Sequence, residues 1–398
     1  MSPFLQLILA LSILIAGAKA GGWLAVRLRQ PAVLGELLVG LLLGPSVLNL
    51  VEWPFLSNPH LEETVLQLAE LGVICLMFLA GLEIDLSEML RVGRVATLAG
   101  TSGVLFPLAL GALAAWLFGH APERSIYIGA ILTATSVSIS AQTLMELGRL
   151  RSREGMALLG AAVVDDVLVI LLLSVLTALA GGNGGALRIL LVVLQMLAYL
   201  IGAAAIGYFL LPRLARWVVR QPVSEGLASL VLVTTFLFAW SAETLGGLAA
   251  ITGAFLAGLA FGRSPLREEI ARPLHAITYA LLVPIFFVSI GLRTDVRQLA
   301  GPSLLLGLAL VLVAVLSKVL GCGLGAYLGR FKLRESLRVG VGMVSRGEVG
   351  LIVAAVEVQA GLIGPEVFAI MTLIVLITTL VTPPLLRWAF HGKEAGHA

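Results

Sequence analysis

An all-α polytopic membrane protein of about thirteen transmembrane helices, with two inverted repeats and two broken crossing helices, is predicted by three observations. Of 398 residues, 59% are apolar and only 12% charged, with a mean hydropathy of +1.04. Soluble domains are about half apolar and about a quarter charged, so this chain lacks the polarity to coat a globule in water. The apolar residues also gather into runs of ~20, the length that crosses a bilayer. Finally, two of these runs carry polar interruptions, one in each half of the chain. A cytosolic enzyme, a secreted disulfide scaffold and a disordered protein are all excluded.

In order, the runs fall at 3–26, 31–50, 64–82, 95–118, 123–147, 155–180, 188–212, 224–243, 246–262, 274–292, 301–328, 336–361 and 365–389. The first has no basic residues ahead of it and no A-x-A cleavage site, so it reads as a retained helix rather than a signal peptide. Only Glu243 and a Gly-Gly pair separate the eighth run from the ninth. With the N-terminus outside, nineteen of the 26 Lys and Arg residues fall in inner loops. Four, Arg124, Arg188, Arg293 and Arg297, fall in outer loops. This positive-inside bias supports thirteen crossings and a cytoplasmic C-terminus. The net charge of +3 reflects that asymmetry and not a nucleic-acid surface.

The expected organisation is one transmembrane domain, with inverted repeats at about 1–180 and 224–389 and a linker helix at about 188–212. An odd linker makes the second repeat enter from the opposite side. Fewer than ten residues follow the last run, so no cytoplasmic regulatory domain is expected. Cys75 and Cys322 each sit inside an apolar run, and the five histidines lack ligand spacing, so neither a disulfide nor a transition-metal site is expected. Gly321-x-Gly-x-Gly325 lies in a run with no strand before it and reads as a small-residue packing face.

Charges inside the runs are where function is expected, because each costs several kcal/mol in mid-membrane. Asp165 and Asp166 stand about ten residues into an otherwise uncharged run. On a helix they point about 100° apart, so both can border one cavity without sharing a proton. The alternative is a pair of structural acids bonded to neighbouring helices. Lys318 lies mid-run, far from either end, and its partner is expected to be one of these aspartates; a purely structural ion pair is the alternative. The polar interruptions are Thr133-Ala-Thr135-Ser136-Val-Ser138-Ile-Ser140 in the fifth run and Gly340-Val-Gly342-Met-Val-Ser345-Arg346-Gly347-Glu348 in the twelfth. Such segments suit helices that unwind halfway and expose backbone carbonyls to a cavity.

Two carboxylates, a lysine and two broken helices describe a site where a small cation competes with protons. A hard monovalent cation takes carboxylate, hydroxyl and carbonyl oxygens. Burial opposes the charge on a carboxylate while a cation or a lysine supports it, so proton and metal ion compete for one group. No phosphate-binding loop is present, so ion gradients are expected to drive transport. A channel would need a continuous pore, and no nucleophile–base pair suggests an enzyme.

Pro31-x-x-x-Gly-Glu-Leu-Leu-x-Gly-x-Leu-Leu-Gly-Pro45, Thr135-Ser-Val, Val164-Asp-Asp-Val167, Pro284-Ile-Phe-Phe-x-x-x-Gly291, Lys318-Val-Leu-Gly and Gly340-x-Gly-Met-x-x-Arg-Gly-Glu-Val-Gly-Leu-Ile352 occur in this order. Together they resemble the bacterial monovalent cation:proton antiporters, specifically NapA-type Na+/H+ exchangers, over essentially the whole chain. The resemblance implies an electrogenic exchange of Na+ (or Li+) for H+ without a cofactor. Asp166 would be the principal ion ligand and proton carrier, with Na+ at Asp166 and Asp165. Asp165 would pair with Lys318 when no ion is bound. Thr133, Thr135 and Ser136 would line the crossing, which Arg346 and Glu348 help to hold. The resemblance further implies a homodimer among membrane lipids, in which a core of spans 4–6 and 11–13 slides against a dimerisation domain. The related potassium-efflux branch, a K+/H+ alternative, usually carries Gln-Asp at the Asp-Asp position and a nucleotide-binding domain; this chain has Asp165-Asp166 there, and no such domain is expected.

Overall fold

The computed structural model describes residues 2–50, 53, 56, 60–84, 91–180, 186–222, 224–292, 302–347, 350 and 365–391. Among them every regular element is helical. The elements are α1 (Pro3–Arg27), α2 (Ala32–Leu43), α3 (Leu61–Glu83), α4 (Gly93–Leu117), α5 (Pro122–Ile131), α6 (Val137–Glu146), α7 (Arg153–Ala180), α8 (Ala186–Phe209), α9 (Leu211–Val218), α10 (Gly226–Thr244), α11 (Ala250–Gly262), α12 (Arg267–Ile277), α13 (Val283–Leu292), α14 (Pro302–Leu328), α15 (Leu333–Gly342) and α16 (Pro365–Phe390). Eight helical stretches among the described residues are long and apolar enough to cross a membrane. The protein is a multi-pass membrane protein.

Residues 348–349 and 351–361 of the twelfth run lie outside the described residues; elsewhere the helices follow the predicted runs, with three informative differences. The second run was expected to reach residue 50, but α2 ends at Leu43. Pro45 restrains the residue before it away from helix, and the chain then turns, with Asn49 at φ +47°. The tenth run was expected to start at 274, whereas helix begins at Arg267. Its first turns carry Glu268, Glu269 and Arg272, which mask the helix in a hydropathy reading. A π turn at Thr278–Leu282 then joins α12 to α13. The seventh run is α8 followed by the short α9, whose Pro212 sits in its first turn, where the missing N–H costs nothing.

The chain forms two compact units. The first comprises Met1–Lys19, Val39–Arg91 and Asp166–Arg293. Within it α3 packs on α11. The Phe78 and Phe261 rings meet edge to face at 6.0 Å, and the Phe78 carbonyl fills the space that a β-carbon on Gly258 would need. The second unit comprises Ala20–Leu38, Val92–Asp165 and Thr294–Ala398. Here α4 lies against α14. The Ser102 hydroxyl donates to the Gly321 carbonyl at 2.7 Å, and Gly325 faces Leu98 and Ser102. The glycines at 321 and 325 are thus a packing face, as their sequence context indicates.

Also in the second unit, α6 holds the start of α2. The Glu146 carboxylate accepts the Ala32 N–H at 2.6 Å and the Val33 N–H at 3.3 Å, while the Gln142 amide donates to it at 2.9 Å. The first N–H groups of a helix have no partner within it, and a carboxylate there is also favoured by the helix dipole. Removing such a cap costs about 1–2 kcal/mol. Glu146→Ala is therefore expected to lower the melting temperature of the detergent-solubilised protein, read by intrinsic tryptophan fluorescence. Glu146→Gln, which keeps an acceptor, should fall between. Unchanged melting in the alanine variant would mean that water caps α2 equally well.

Candidate functional site

The site begins on α7, where Asp165 and Asp166 are consecutive and have unlike surroundings. Asp165 is 1% exposed, and its Oδ1 lies 2.6 Å from Nζ of Lys318, which is fully buried on α14. An unpaired charge in so dry a place would be far costlier than the pair. Each residue therefore requires the other. Asp165 Oδ2 is buried and has no hydrogen-bond partner among the described residues.

Three helices close around this pair. On α4, Gly103 leaves the room: a β-carbon there would stand 3.5 Å from Lys318 Nζ and 3.7 Å from Asp165 Oδ1, and would collide with Cys322 Sγ. Cys322 is one turn beyond Lys318 on α14 and is fully buried. Pro107, inside α4, has no N–H to offer the Gly103 carbonyl. Gly100, a turn earlier, brings α4 against Ala161 and Val164 of α7.

Asp166 is half-buried. Its Oδ2 accepts a hydrogen bond of 2.9 Å from the Thr252 hydroxyl on α11. Both of these residues belong to the first unit.

The polar interruptions are breaks, and within the second unit they touch. Span five stops as α5 at Ile131 and resumes as α6 at Val137, while α15 stops at Gly342. The Ser136 N–H donates to the Ser345 carbonyl at 2.9 Å, and the Ser345 hydroxyl donates back to the Ser136 carbonyl. The Ser140 hydroxyl reaches the Gly342 carbonyl at 2.5 Å. Thr133, Thr135 and Ser136 are all buried. Thr133 donates to Ala130 O at 2.6 Å, and the Ser136 and Ser138 hydroxyls lie 3.1 Å apart.

Arg346 is fully buried at this crossing. Its guanidinium donates to the carbonyls of Thr133 at 3.4 Å, Ala134 at 3.0 Å and Ala314 at 3.2 Å. The first two belong to the loosened end of α5, where helix carbonyls carry partial negative charge. From α16, the Thr378 hydroxyl accepts the Arg346 N–H at 3.1 Å, and the Thr379 hydroxyl donates to the Arg346 carbonyl at 2.9 Å.

Thus Asp165 meets Lys318, and Thr133 and Ser136 meet the Arg346 segment; Glu348 lies outside the described residues. Sequence reasoning missed Thr252, Thr378, Thr379 and Gly103. The hydroxyl-rich Thr378-Thr379-x-x-Thr382 before a Pro-Pro pair was a readable signal for a polar patch in the last span. Among the described residues no cluster of three or more His, Cys, Asp or Glu could hold a metal ion. The donors available are carboxylate, hydroxyl and carbonyl oxygens, which suit a hard cation rather than a transition metal.

Comparison with known proteins agrees with this chemistry. The model of the family "Sodium/hydrogen exchanger, transmembrane" matches residues 10–391. The Na(+)/H(+)-K(+) antiporter GerN of Bacillus cereus is 38% identical over 385 residues, covering 96% of each chain. The high-affinity Na(+)/H(+) antiporter NhaS3 of Synechocystis is 34% identical over 425 residues, covering 98% of this chain and 91% of that protein. A solved structure of the sodium proton antiporter MjNhaP1 from Methanocaldococcus jannaschii superposes with a TM-score of 0.72 at 17% identity, covering 98% of this chain and 99% of that one. At that identity the match concerns the fold alone.

The contact at Gly103 can be tested by itself. Gly103→Ala forces a methyl into Cys322 Sγ and towards the ion pair, and such overpacking costs about 1–3 kcal/mol. A lower melting temperature is expected, with most of the loss recovered in Gly103→Ala/Cys322→Ala. A single variant as stable as the parent would show that α4 and α14 separate freely at this level.

Proposed function

The chain belongs to the sodium/hydrogen exchanger family, and we propose that it exchanges Na+ (or Li+) for H+ across the membrane by elevator-type alternating access with net charge movement. Cation/proton antiport is the activity in the names of its relatives, so the protein is a transporter driven by ion gradients and not an enzyme. The observation that carries the finer reading is the fully buried Lys318–Asp165 pair, with Asp166 next on the same helix. That arrangement has a charge-balanced ion-free state and a second carboxylate beside it.

In the ion-free state Lys318 neutralises Asp165, and Asp166 is the principal ligand and proton carrier. Arrival of Na+ at Asp166 and Asp165 replaces the ammonium as the counter-charge. The pair then opens and Lys318 is free to release its proton. Asp166 and Lys318 would each give up a proton for one Na+, so charge moves. Thr133, Thr135, Ser136, Arg346 and Glu348 line and hold the crossing. A core of spans 4–6 and 11–13 moves as a body. One compact unit gathers Val92–Asp165 and Thr294–Ala398 with Ala20–Leu38, which supports this for spans 4 and 5, the first half of span 6, and the spans after Thr294. The chain acts as a homodimer among membrane lipids, with the N-terminus outside and the C-terminus cytoplasmic. K+/H+ exchange is the second reading, favoured by the K(+) in the name of the Bacillus relative. The Asp-Asp dyad favours Na+.

The test is fluorescence dequenching of a proton-gradient dye in proteoliposomes on separate addition of Na+, Li+ and K+. Na+ and Li+ should dequench and K+ should not; a response to K+ alone would establish the second reading. Asp166→Asn should abolish the response while the protein still inserts, because an amide neither carries the proton nor balances the ion. Since proton and Na+ compete for one carboxylate, the wild-type KM for Na+ should rise about tenfold per pH unit on the acidic limb. A flat KM there would mean separate sites.

A further inference from the structure

The two carboxylates of α7 meet different donors. Asp165 faces an ammonium, whereas Asp166 accepts the Thr252 hydroxyl at 2.9 Å. Thr252 is 3% exposed and stands in the first turn of α11, a helix of 13 residues that starts after a turn at Gly246 and Gly247. Four other helix threonines bond back to their own helix: Thr143 to Ile139 O, Thr234 to Leu230 O, Thr235 to Val231 O and Thr244 to Trp240 O. That is the usual resting place of such a hydroxyl in an apolar helix. Thr252 instead spans 86 residues of sequence to reach a carboxylate. Its position reinforces the bond, because the first turn of a helix carries partial positive charge that favours an anion.

We propose that Thr252 is a positioning residue for the exchange, its hydroxyl standing in for the cation at Asp166 after the proton has left and giving way when the cation binds. The proposal rests on the reading of Asp166 as the ion ligand. A hydroxyl donating to the carboxylate after its proton has left and before the cation arrives stabilises that empty state. It therefore opposes occupation of the carboxylate and speeds release. Without it the site would hold Na+ more tightly and turn over more slowly.

The experiment compares wild type, Thr252→Val, which keeps the shape and removes the hydroxyl, Thr252→Ala, and Thr252→Ser, all in proteoliposomes with the proton-gradient dye. A hydrogen bond to a charged group is strong enough for roughly a tenfold effect. At a pH above the acidic limb, where protons do not compete for the carboxylate, KM for Na+ should fall by about that factor in the valine and alanine variants, with kcat falling alongside it, and serine should restore both. A merely structural threonine would reduce kcat and leave KM where it was, which overturns the proposal. A rise in KM also overturns it, because Thr252 would then be a ligand of the bound cation. If the wild type moves no protons on cation addition, or Asp166→Asn still does, the reading of Asp166 fails and the proposal falls with it. If wild type and Asp166→Asn behave as expected and the valine and alanine variants match wild type, the proposal alone fails.

Discussion

A charged group that leaves water must find a counter-charge, and in this protein Lys318 and Asp165 meet that requirement with each other at 2.6 Å, both essentially fully buried. Much of the surrounding packing serves that contact. It requires α14 and α7 to approach α4 closely, which the glycines at 100, 103, 321 and 325 allow. It leaves Cys322, rather than a larger side chain, beside the pair. Asp166, one residue on from Asp165, accepts the Thr252 hydroxyl. Replacing one member alone would strand a buried charge, which is far more destabilising than replacing both. The pair is therefore stable when closed and costly when open unless something else supplies positive charge. In the proposed exchange a bare cation supplies it.

The same constraint governs the broken helices. Backbone groups inside a membrane cannot borrow hydrogen bonds from water. At the crossing, the chain between Ile131 and Val137 is satisfied by Ser345 and by the Arg346 guanidinium, and the end of α15 by Ser140. Thr378 and Thr379 hold Arg346 by its backbone from the last helix. A charged side chain used on carbonyls is an unusual way to end a helix. It places a second fully buried cation in the unit that contains Lys318 and Asp165.

Much of this was legible in the sequence, for identifiable reasons. Asp165, Asp166 and Lys318 stand out because charges violate the composition of the runs that contain them. Both breaks stand out because hydroxyls, glycines and an Arg-Gly-Glu cluster where leucines prevail. Thr252 did not, since a lone hydroxyl in an apolar helix is ordinarily bonded to its own backbone; the Thr378-Thr379-x-x-Thr382 cluster was readable as a polar patch, but its bonds to Arg346 are tertiary. Gly103 is one of 44 glycines, and its contact with Cys322 is purely tertiary. The bond between Glu146 and Ala32, 114 residues apart in sequence, has no local signature. The start of α12 was hidden because hydropathy reads amphipathic turns as loop.

The central claim is that opening and closing of the Lys318–Asp165 pair is coupled to the cation, so that the lysine's proton travels as part of the exchange. The most direct measurement is Na+-driven exchange in proteoliposomes under an imposed membrane potential, comparing wild type with Lys318→Gln. Wild-type exchange should respond to the potential, and the glutamine variant, with one fewer proton to move, should exchange with little or no response. An equal response in both would contradict the account and reduce Lys318 to a structural counter-ion.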